Sequence, residues 1–238
     1  MRVLIIIPAY NEESNISRVV HTVTDFAASY TRHQVDYIVI NDGSTDSTEA
    51  ICRQEGFETV NLIQNLGIGG AVQTGYMFAQ QFDYDAAVQF DGDGQHDILS
   101  LDALLRPIEN GSANFVIGSR YLNNSSDFRS TFLRRLGSSF LARTIRLLTG
   151  FRPTDPTSGY RVADRASIRV FAQDYPADYP EPESLVILLK HKLRLQEVGV
   201  NMFERLGGVS SISPLKSVRY MFKVSLAILC TSLRKGGK

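Results

Sequence analysis

The chain has 238 residues, 43% hydrophobic and 21% charged, which suits one folded α/β domain or one domain with a short appendage and excludes a disordered chain. Two cysteines, Cys52 and Cys230, exclude a disulfide framework and fit a reducing compartment, and no Cys/His cluster has zinc spacing. The formal charge of zero hides a division: residues 1–118 hold 5 Lys+Arg against 16 Asp+Glu, and residues 119–238 hold 20 against 9, so the second half is either a solvated basic face or the seat of an anionic partner.

Met1-Arg2 leads into Val3–Ile7 and then Pro8. Five apolar residues are too few for a signal-peptide core and read as a buried strand. Residues 14–30 have the spacing of an amphipathic helix, with Ile16, Val19, Val20, Val23 and Phe26 on one face. Tyr37–Ile40 is a second strand, and Ser44 or Asp46 caps a helix running to about Glu55. Thr59–Ile63 is a third strand. A glycine-rich turn, Asn65–Gly70, opens a helix to about Gln81. Ala86–Phe90 is a fourth strand, Ile98–Ile108 a helix and Phe115–Ile117 a fifth strand. Beyond that, Ser130–Thr149 is a basic amphipathic helix, Arg152–Arg161 a loop, 205–213 a Gly/Ser loop and 213–234 a last amphipathic helix. Leu185–His191 and Leu195–Phe203 carry no decisive period. Strands alternating with helices predict a doubly wound, mostly parallel sheet, whose ligands bind beyond the carboxyl ends of the strands.

Four strands deliver polar or glycine-rich tips to that rim: Pro8-Ala9-Tyr10-Asn11-Glu12, Asn41-Asp42-Gly43-Ser44, Gln64-Asn65-Leu66-Gly67, and Asp91-Gly92-Asp93-Gly94-Gln95-His96. Asp91 and Asp93 are carboxylates two residues apart, fit to face a divalent cation on a diphosphate. Hard oxygen ligands suit Mg²⁺ or Mn²⁺, and Gln95 adds a neutral oxygen. A polar turn with side-chain-to-backbone bonds is the plain alternative. Asp42 faces a base or ribose, or belongs to a helix cap. Gly67-Ile68-Gly69-Gly70 follows the third strand rather than the first. It therefore reads as a tight turn allowing close backbone approach to a donor, not as a dinucleotide fingerprint. His96 reads as a supporting residue.

Together these blocks resemble the family 2 glycosyltransferases, in the branch of polyprenyl-phosphate mannose and glucose synthases typified by dolichyl-phosphate mannose synthase. Gly118-Ser119-Arg120-Tyr121, Asp155-Pro156-Thr157-Ser158-Gly159-Tyr160-Arg161 and Arg205-Leu206-Gly207-Gly208-Val209-Ser210 extend the match, in order, from residue 5 to about 211. The resemblance implies a GT-A fold, inversion at the anomeric carbon and a divalent metal. It places Pro8, Tyr10, Glu12, Asp42 and Gly67 at the donor nucleotide, Asp91, Asp93 and Gln95 at the metal, and Arg205 and Ser210 over the diphosphate. Arg120, Arg134, Ser138 and Arg161 fall at an acceptor phosphate, with Asp93, Arg120 and Arg134 in the catalytic set. Where that family often has Ala between its metal carboxylates, this chain has Gly92, which keeps their spacing. Such relatives often carry C-terminal membrane spans; no run here approaches the roughly 18 apolar residues of one.

The domain expected is a GT-A unit over 1–211, with a nucleotide-sugar and metal half (1–118) and an acceptor half (119–211). A C-terminal basic helix (212–238) follows. The expected reaction moves a hexose from a nucleotide-sugar, UDP ahead of GDP by family habit, to a polyprenyl phosphate for envelope glycan synthesis. A sugar hydroxyl on a lipid-linked saccharide is the second acceptor class. That acceptor needs a carboxylate base, for which Glu181 and Glu183 stand in a Tyr-Pro-Glu-Pro-Glu turn. On a helical wheel Lys216, Arg219, Lys223 and Arg234 oppose Val218, Phe222, Leu226, Leu229 and Leu233. That pattern suits a helix lying in an anionic membrane surface on the cytoplasmic face, or one packed on the domain or on a second copy of the chain. The basic helix at 130–149 would share that surface. Nucleic acid is not an expected partner, since aromatic and basic residues are not interleaved.

Overall fold

The computed structural model describes residues 1–122, 132–203 and 214–234, with side chains over 1–122, 137–203 and 223–234. Strands β1 (Arg2–Ala9), β2 (Gln34–Asn41), β3 (Thr59–Asn61), β4 (Ala86–Gln89), β5 (Phe115–Ser119), β6 (Arg161–Asp164) and β7 (Leu195–Gly199) form one sheet in the order β3-β2-β1-β4-β6-β5-β7. Around it lie α1 (Ile16–Ser29), α2 (Thr48–Gln54), α3 (Gly67–Gln81), α4 (Leu101–Glu109), α5 (Phe132–Thr149), α6 (Arg165–Gln173), α7 (Pro180–Lys190) and α8 (Pro214–Leu233). This is the mixed α/β, mostly parallel sheet expected of a GT-A fold.

β1 is central, and Val3–Ile7 are wholly buried because both faces of the sheet are covered. Alternation sorts them: Val3, Ile5 and Ile7 pack with Val19, Val20 and Val23 of α1 and Leu104 of α4, while Leu4 and Ile6 pack with Val72 and Tyr76 of α3 and Phe171 of α6. One apolar run thus feeds two layers. The face of α1 marked by its sequence period is the buried one, with Phe26 only partly covered.

β6 is the exception to parallel order. It pairs antiparallel with β4, Ala86 opposite Asp164 and Gln89 opposite Arg161, and antiparallel with β5. Its first residue therefore lies level with the last residues of β4. The loop entering β6, residues 152–160, arrives at the same rim as Asp91. The expected loop over 152–161 thus ends one residue early, in a strand whose apolar content is only Val162 and Ala163. α6 follows at once, capped by Asp164, whose Oδ1 accepts the Ser167 N–H at 2.8 Å.

The stretch before Leu185 also differs from expectation. Tyr179-Pro180-Glu181-Pro182-Glu183 is not a turn but the opening of α7, with prolines in the first turn, where a helix tolerates them. In α5 the buried residues include Leu141, Ala142 and Ile145, whereas Phe140, Arg143, Arg146 and Leu147 face out. In α8 Val224 and Ile228 are fully buried beside Leu185 and Leu188 of α7, a packed face absent from the two-faced wheel. Leu226, Leu229 and Leu233 remain 42–75% exposed. No helix among the described residues is long and apolar enough to cross a membrane.

Because Ile228 closes the core over α7, Ile228→Ala is expected to cost about 2–5 kcal/mol of stability. Urea unfolding checks this; a midpoint equal to wild type would mean α8 is not part of the folded core.

Candidate active site

The carboxyl ends of β1, β2 and β4 and the start of α3 enclose a cleft of about 420 Å³. Pro8, Tyr10, Glu12, Asp42, Gly67, Asp91 and Asp93 all line it, together with Glu181 from the start of α7. The tips of β1 and β2 are laced to each other. The Asn11 N–H donates to Ser44 Oγ at 3.0 Å, the Thr45 N–H to Asn11 Oδ1 at 2.8 Å, and the Glu12 N–H to Thr48 Oγ1 at 2.9 Å. Asp42 is buried, and its Oδ1 accepts the Leu66 N–H at 2.7 Å, tying β2 to the turn that opens α3. The cap of α2 lies elsewhere: Asp46 Oδ1 accepts the Thr48 N–H at 2.9 Å. Tyr10 is half-exposed at the lip, available to a planar base.

Asp91 is held from three sides. Its Oδ1 accepts from Gln89 Nε2 at 3.1 Å, and Gln89 Oε1 accepts from the Tyr175 hydroxyl at 3.4 Å. Its backbone N–H donates to His96 Nδ1 at 3.1 Å, and His96 Nε2 lies 3.5 Å from Oδ2. An Nδ1 that accepts leaves the ring proton on Nε2, facing the carboxylate. Burial lowers the His96 pKa, which keeps the ring neutral. His96 stacks on Tyr160 at 4.7 Å between centroids and 9° between planes. The third side is Gly159, whose backbone abuts Asp91 so closely that a Cβ there would collide with the carboxylate oxygens.

Asp93 Oδ1 accepts the N–H of Gln95 at 3.1 Å, and the Gln95 carbonyl accepts from Phe203 N–H at 2.8 Å. Gln95 is half-buried and is not among the residues lining the cleft. Among the described residues no group of three His, Cys, Asp or Glu side chains is placed to hold a metal. Two hard carboxylates opening on one cleft still fit Mg²⁺ or Mn²⁺, ions that take one or two protein carboxylates and complete their shell with water and phosphate oxygens.

The arginines assigned to an acceptor phosphate lie deeper. Arg120 is buried and forms a two-point pair with Asp155, Nε to Oδ2 and Nη2 to Oδ1, both at 2.7 Å, with Thr157 Oγ1 accepting from Nη2 at 2.9 Å. Arg161 is fully buried. It donates to the Ser158 carbonyl at 2.6 Å, the Pro156 carbonyl at 3.2 Å and Ser184 Oγ at 2.7 Å, fastening the 155–160 loop to α7. Both guanidiniums therefore build the wall of the site. Ser138 is buried in α5, its hydroxyl without a partner among the described residues. The Arg134 side chain, Arg205 and Ser210 lie outside the described residues.

Glu181 and Glu183 part company. Two residues on a helix are about 200° apart, so their carboxylates leave opposite sides of the first turn. Glu181 enters the cleft. Glu183 Oε2 accepts from Thr231 Oγ1 of α8 at 3.1 Å, on the far side. Burial raises the pKa of both. Of the supports of Asp91, His96 was expected from its place beside the carboxylates, whereas Gly159, Tyr160 and Tyr175 reach it only through the antiparallel β6 and the packing of α3 and α6.

A model of glycosyl transferase family 2 matches residues 4–171. The UDP-N-acetylglucosamine–dolichyl-phosphate N-acetylglucosaminyltransferase of Methanococcus voltae is 33% identical over 219 residues, covering 83% of this chain and 84% of the relative. The polyprenol monophosphomannose synthase of Mycolicibacterium smegmatis is 30% identical over 234 residues, covering 94% of this chain and 86% of the relative. Among solved structures, glucosyl-3-phosphoglycerate synthase from Mycobacterium tuberculosis with Mn²⁺ and UDP-glucose superposes with a TM-score of 0.70 at 20% identity. It covers 97% of this chain and 78% of that one, and shows a shared fold.

Gly159→Ala is expected to displace the Asp91 carboxylate and lower turnover about 100-fold, with the urea midpoint little changed. Its backbone is outside the left-handed region, and the nearest atoms an alanine Cβ meets are those of the Asp91 carboxylate. Wild-type turnover in this variant would show that the position of Asp91 is not critical.

Proposed function

The chain belongs to glycosyl transferase family 2 and is a glycosyltransferase; we propose that it transfers a hexose from a UDP-sugar to a polyprenyl phosphate at a membrane surface, with inversion. The observation that carries this reading is the pairing of Asp91 and Asp93 in a cleft beside Tyr10 and Asp42. Support for the donor and acceptor classes comes from the archaeal and mycobacterial relatives, which are dolichyl- and polyprenyl-phosphate sugar transferases.

Tyr10 and Asp42 take the nucleoside. Asp42 spends one oxygen on Leu66 and keeps the other for a base or ribose donor. Asp91 and Asp93 hold Mg²⁺ or Mn²⁺, which when bound offsets the charge that grows on the departing diphosphate. A phosphate acceptor is already an anion, so its oxygen attacks the anomeric carbon without a strong base. The bond from that carbon to the diphosphate breaks on the opposite face. Arg120 and Arg161 serve this step by fixing the loop that carries Gly159 and Tyr160. Direct contact with the acceptor phosphate falls to Arg134 and Ser138, and closure over the diphosphate to Arg205 and Ser210.

The test is nucleotide release from a panel of UDP- and GDP-sugars, with and without undecaprenyl phosphate. Release should require the lipid phosphate and vanish with EDTA, and Asp91→Asn and Asp93→Asn should be inactive while folded. Full activity in excess chelator, or release only with a saccharide hydroxyl acceptor, would overturn the reading.

Docking on the membrane is assigned to α5 and α8. They pack together and expose Phe140, Leu147, Leu226, Leu229 and Leu233 near Arg143, Arg146, Lys223 and Arg234. Exposed apolar and basic side chains on two packed helices suit anionic headgroups on the cytoplasmic face. Flotation with anionic liposomes should succeed at low salt, weaken at high salt, and fail when Leu226, Leu229 and Leu233 are changed to Ser, which leaves Val224 and Ile228 in the core. Unbound wild-type protein at low salt would make this face an interface with another protein chain.

A further inference from the structure

We propose that Glu181 is the residue that reads the donor sugar: its carboxylate accepts hydrogen bonds from ring hydroxyls of the hexose and sets which epimer is accepted. The inference rests on the UDP-sugar reading above and adds a specificity-determining contact to it.

Among the described residues, Glu181 is the one cleft-lining residue contributed by the second half of the chain; the rest of the lining ends at Asp93. Its side chain is only partly covered and opens on the cleft, and its carboxylate accepts from no other side chain among the described residues. It shares the cleft lining with Asp91 and Asp93, and among the described residues the fields of Arg161, Asp91 and Arg120 reach it. A carboxylate there repels a diphosphate and equally repels an acceptor phosphate. The group that suits it is neutral and rich in O–H donors, and the donor molecule has one such part next to its diphosphate, the sugar.

The backbone around it is fixed in advance, as a selective contact requires. Pro180 and Pro182 flank it and lock φ on both sides. The Glu181 carbonyl accepts from Ser184 Oγ at 3.1 Å, and Ser184 Oγ in turn accepts from the buried Arg161 at 2.7 Å. Upstream, the Pro176 and Ala177 carbonyls lie so close to Gly69 of α3 that any Cβ there would collide with them. The segment leading to Glu181 is thereby seated on the helix that opens at the nucleotide end of the cleft. Burial raises the Glu181 pKa, and the nearby Arg161 opposes that shift.

The test compares wild type, Glu181→Gln and Glu181→Ala by calorimetry with Mn²⁺ and four probes: UDP, UDP-glucose, UDP-galactose and UDP-N-acetylglucosamine. The same variants are then assayed for turnover of each sugar. Glu181→Ala should bind UDP as wild type does, lose about tenfold or more in affinity for the preferred UDP-sugar, and flatten the glucose-to-galactose ratio. Glu181→Gln, which keeps an accepting oxygen, should fall between. An unchanged epimer ratio in Glu181→Ala, or equal loss of UDP and UDP-sugar affinity, overturns the assignment. A Glu181→Gln enzyme that binds sugar normally but keeps only residual turnover, with the acidic limb of its pH–rate profile gone, overturns it in favour of a base for a hydroxyl acceptor. Wild-type protein that binds none of the UDP-sugars would instead defeat the donor reading itself. The binding arm uses no acceptor, so these failures are distinguishable.

Discussion

The site depends on the position of one carboxylate. Asp91 stands at the end of β4 with Gln89 bonded to one oxygen, His96 beside the other and the backbone of Gly159 against its plane. Interiors packed at crystal density transmit a displacement of any of these neighbours directly to the oxygens. Burial also lowers the His96 pKa, which favours the uncharged ring beside this carboxylate.

That arrangement requires the antiparallel strand. A parallel β6 would bring its amino end to the opposite rim, and residues 155–160 would never meet Asp91. The reversal also brings the Asp155 carboxylate to Arg120 at the end of β5, an ion pair in which both side chains are at least 93% buried. Buried pairs contribute little net stability against an apolar substitute, but losing one member leaves an uncompensated charge. Here the backbone N–H of Asp155 is further held by Glu197 of β7 at 3.0 Å. The pair thus joins β5, β7 and the Gly159 loop into one wall, a role of register and position.

The acidic half was legible because its signals are local. β1 is an apolar run ended by proline, and its buried residues are those the run names; the α1 period marks the face that packs. The cleft residues of 1–93 sit at strand tips by the same logic. The basic half was less legible because its structure is set by partners distant in sequence. Arg161–Asp164 has too little apolar content to announce a strand. Arg120 meets its carboxylate 35 residues away, so a cation that looks free for a ligand is already committed. Glu181 and Glu183 were indistinguishable in a proline-rich turn. They separate only once the prolines are seen to start a helix, since the helical period then sends the two carboxylates to opposite sides.

Helix α7 gives that separation a consequence. One end carries Glu181 into the cleft, while Glu183 accepts from Thr231 of α8. At the other end Lys190 Nζ donates to the Thr231 carbonyl at 2.7 Å and to that of Arg234, so one cation serves the carboxyl ends of both α7 and α8. With Leu185 and Leu188 packed on Val224 and Ile228, the two helices are joined by apolar contacts and, at the carboxyl end of α8, by polar ones. The face bearing Leu226, Leu229 and Leu233 is therefore fixed in orientation relative to the cleft wall, not tethered to it by a loop. A packed pair of helices holds two surfaces in a constant relation without the ordering cost of a flexible link.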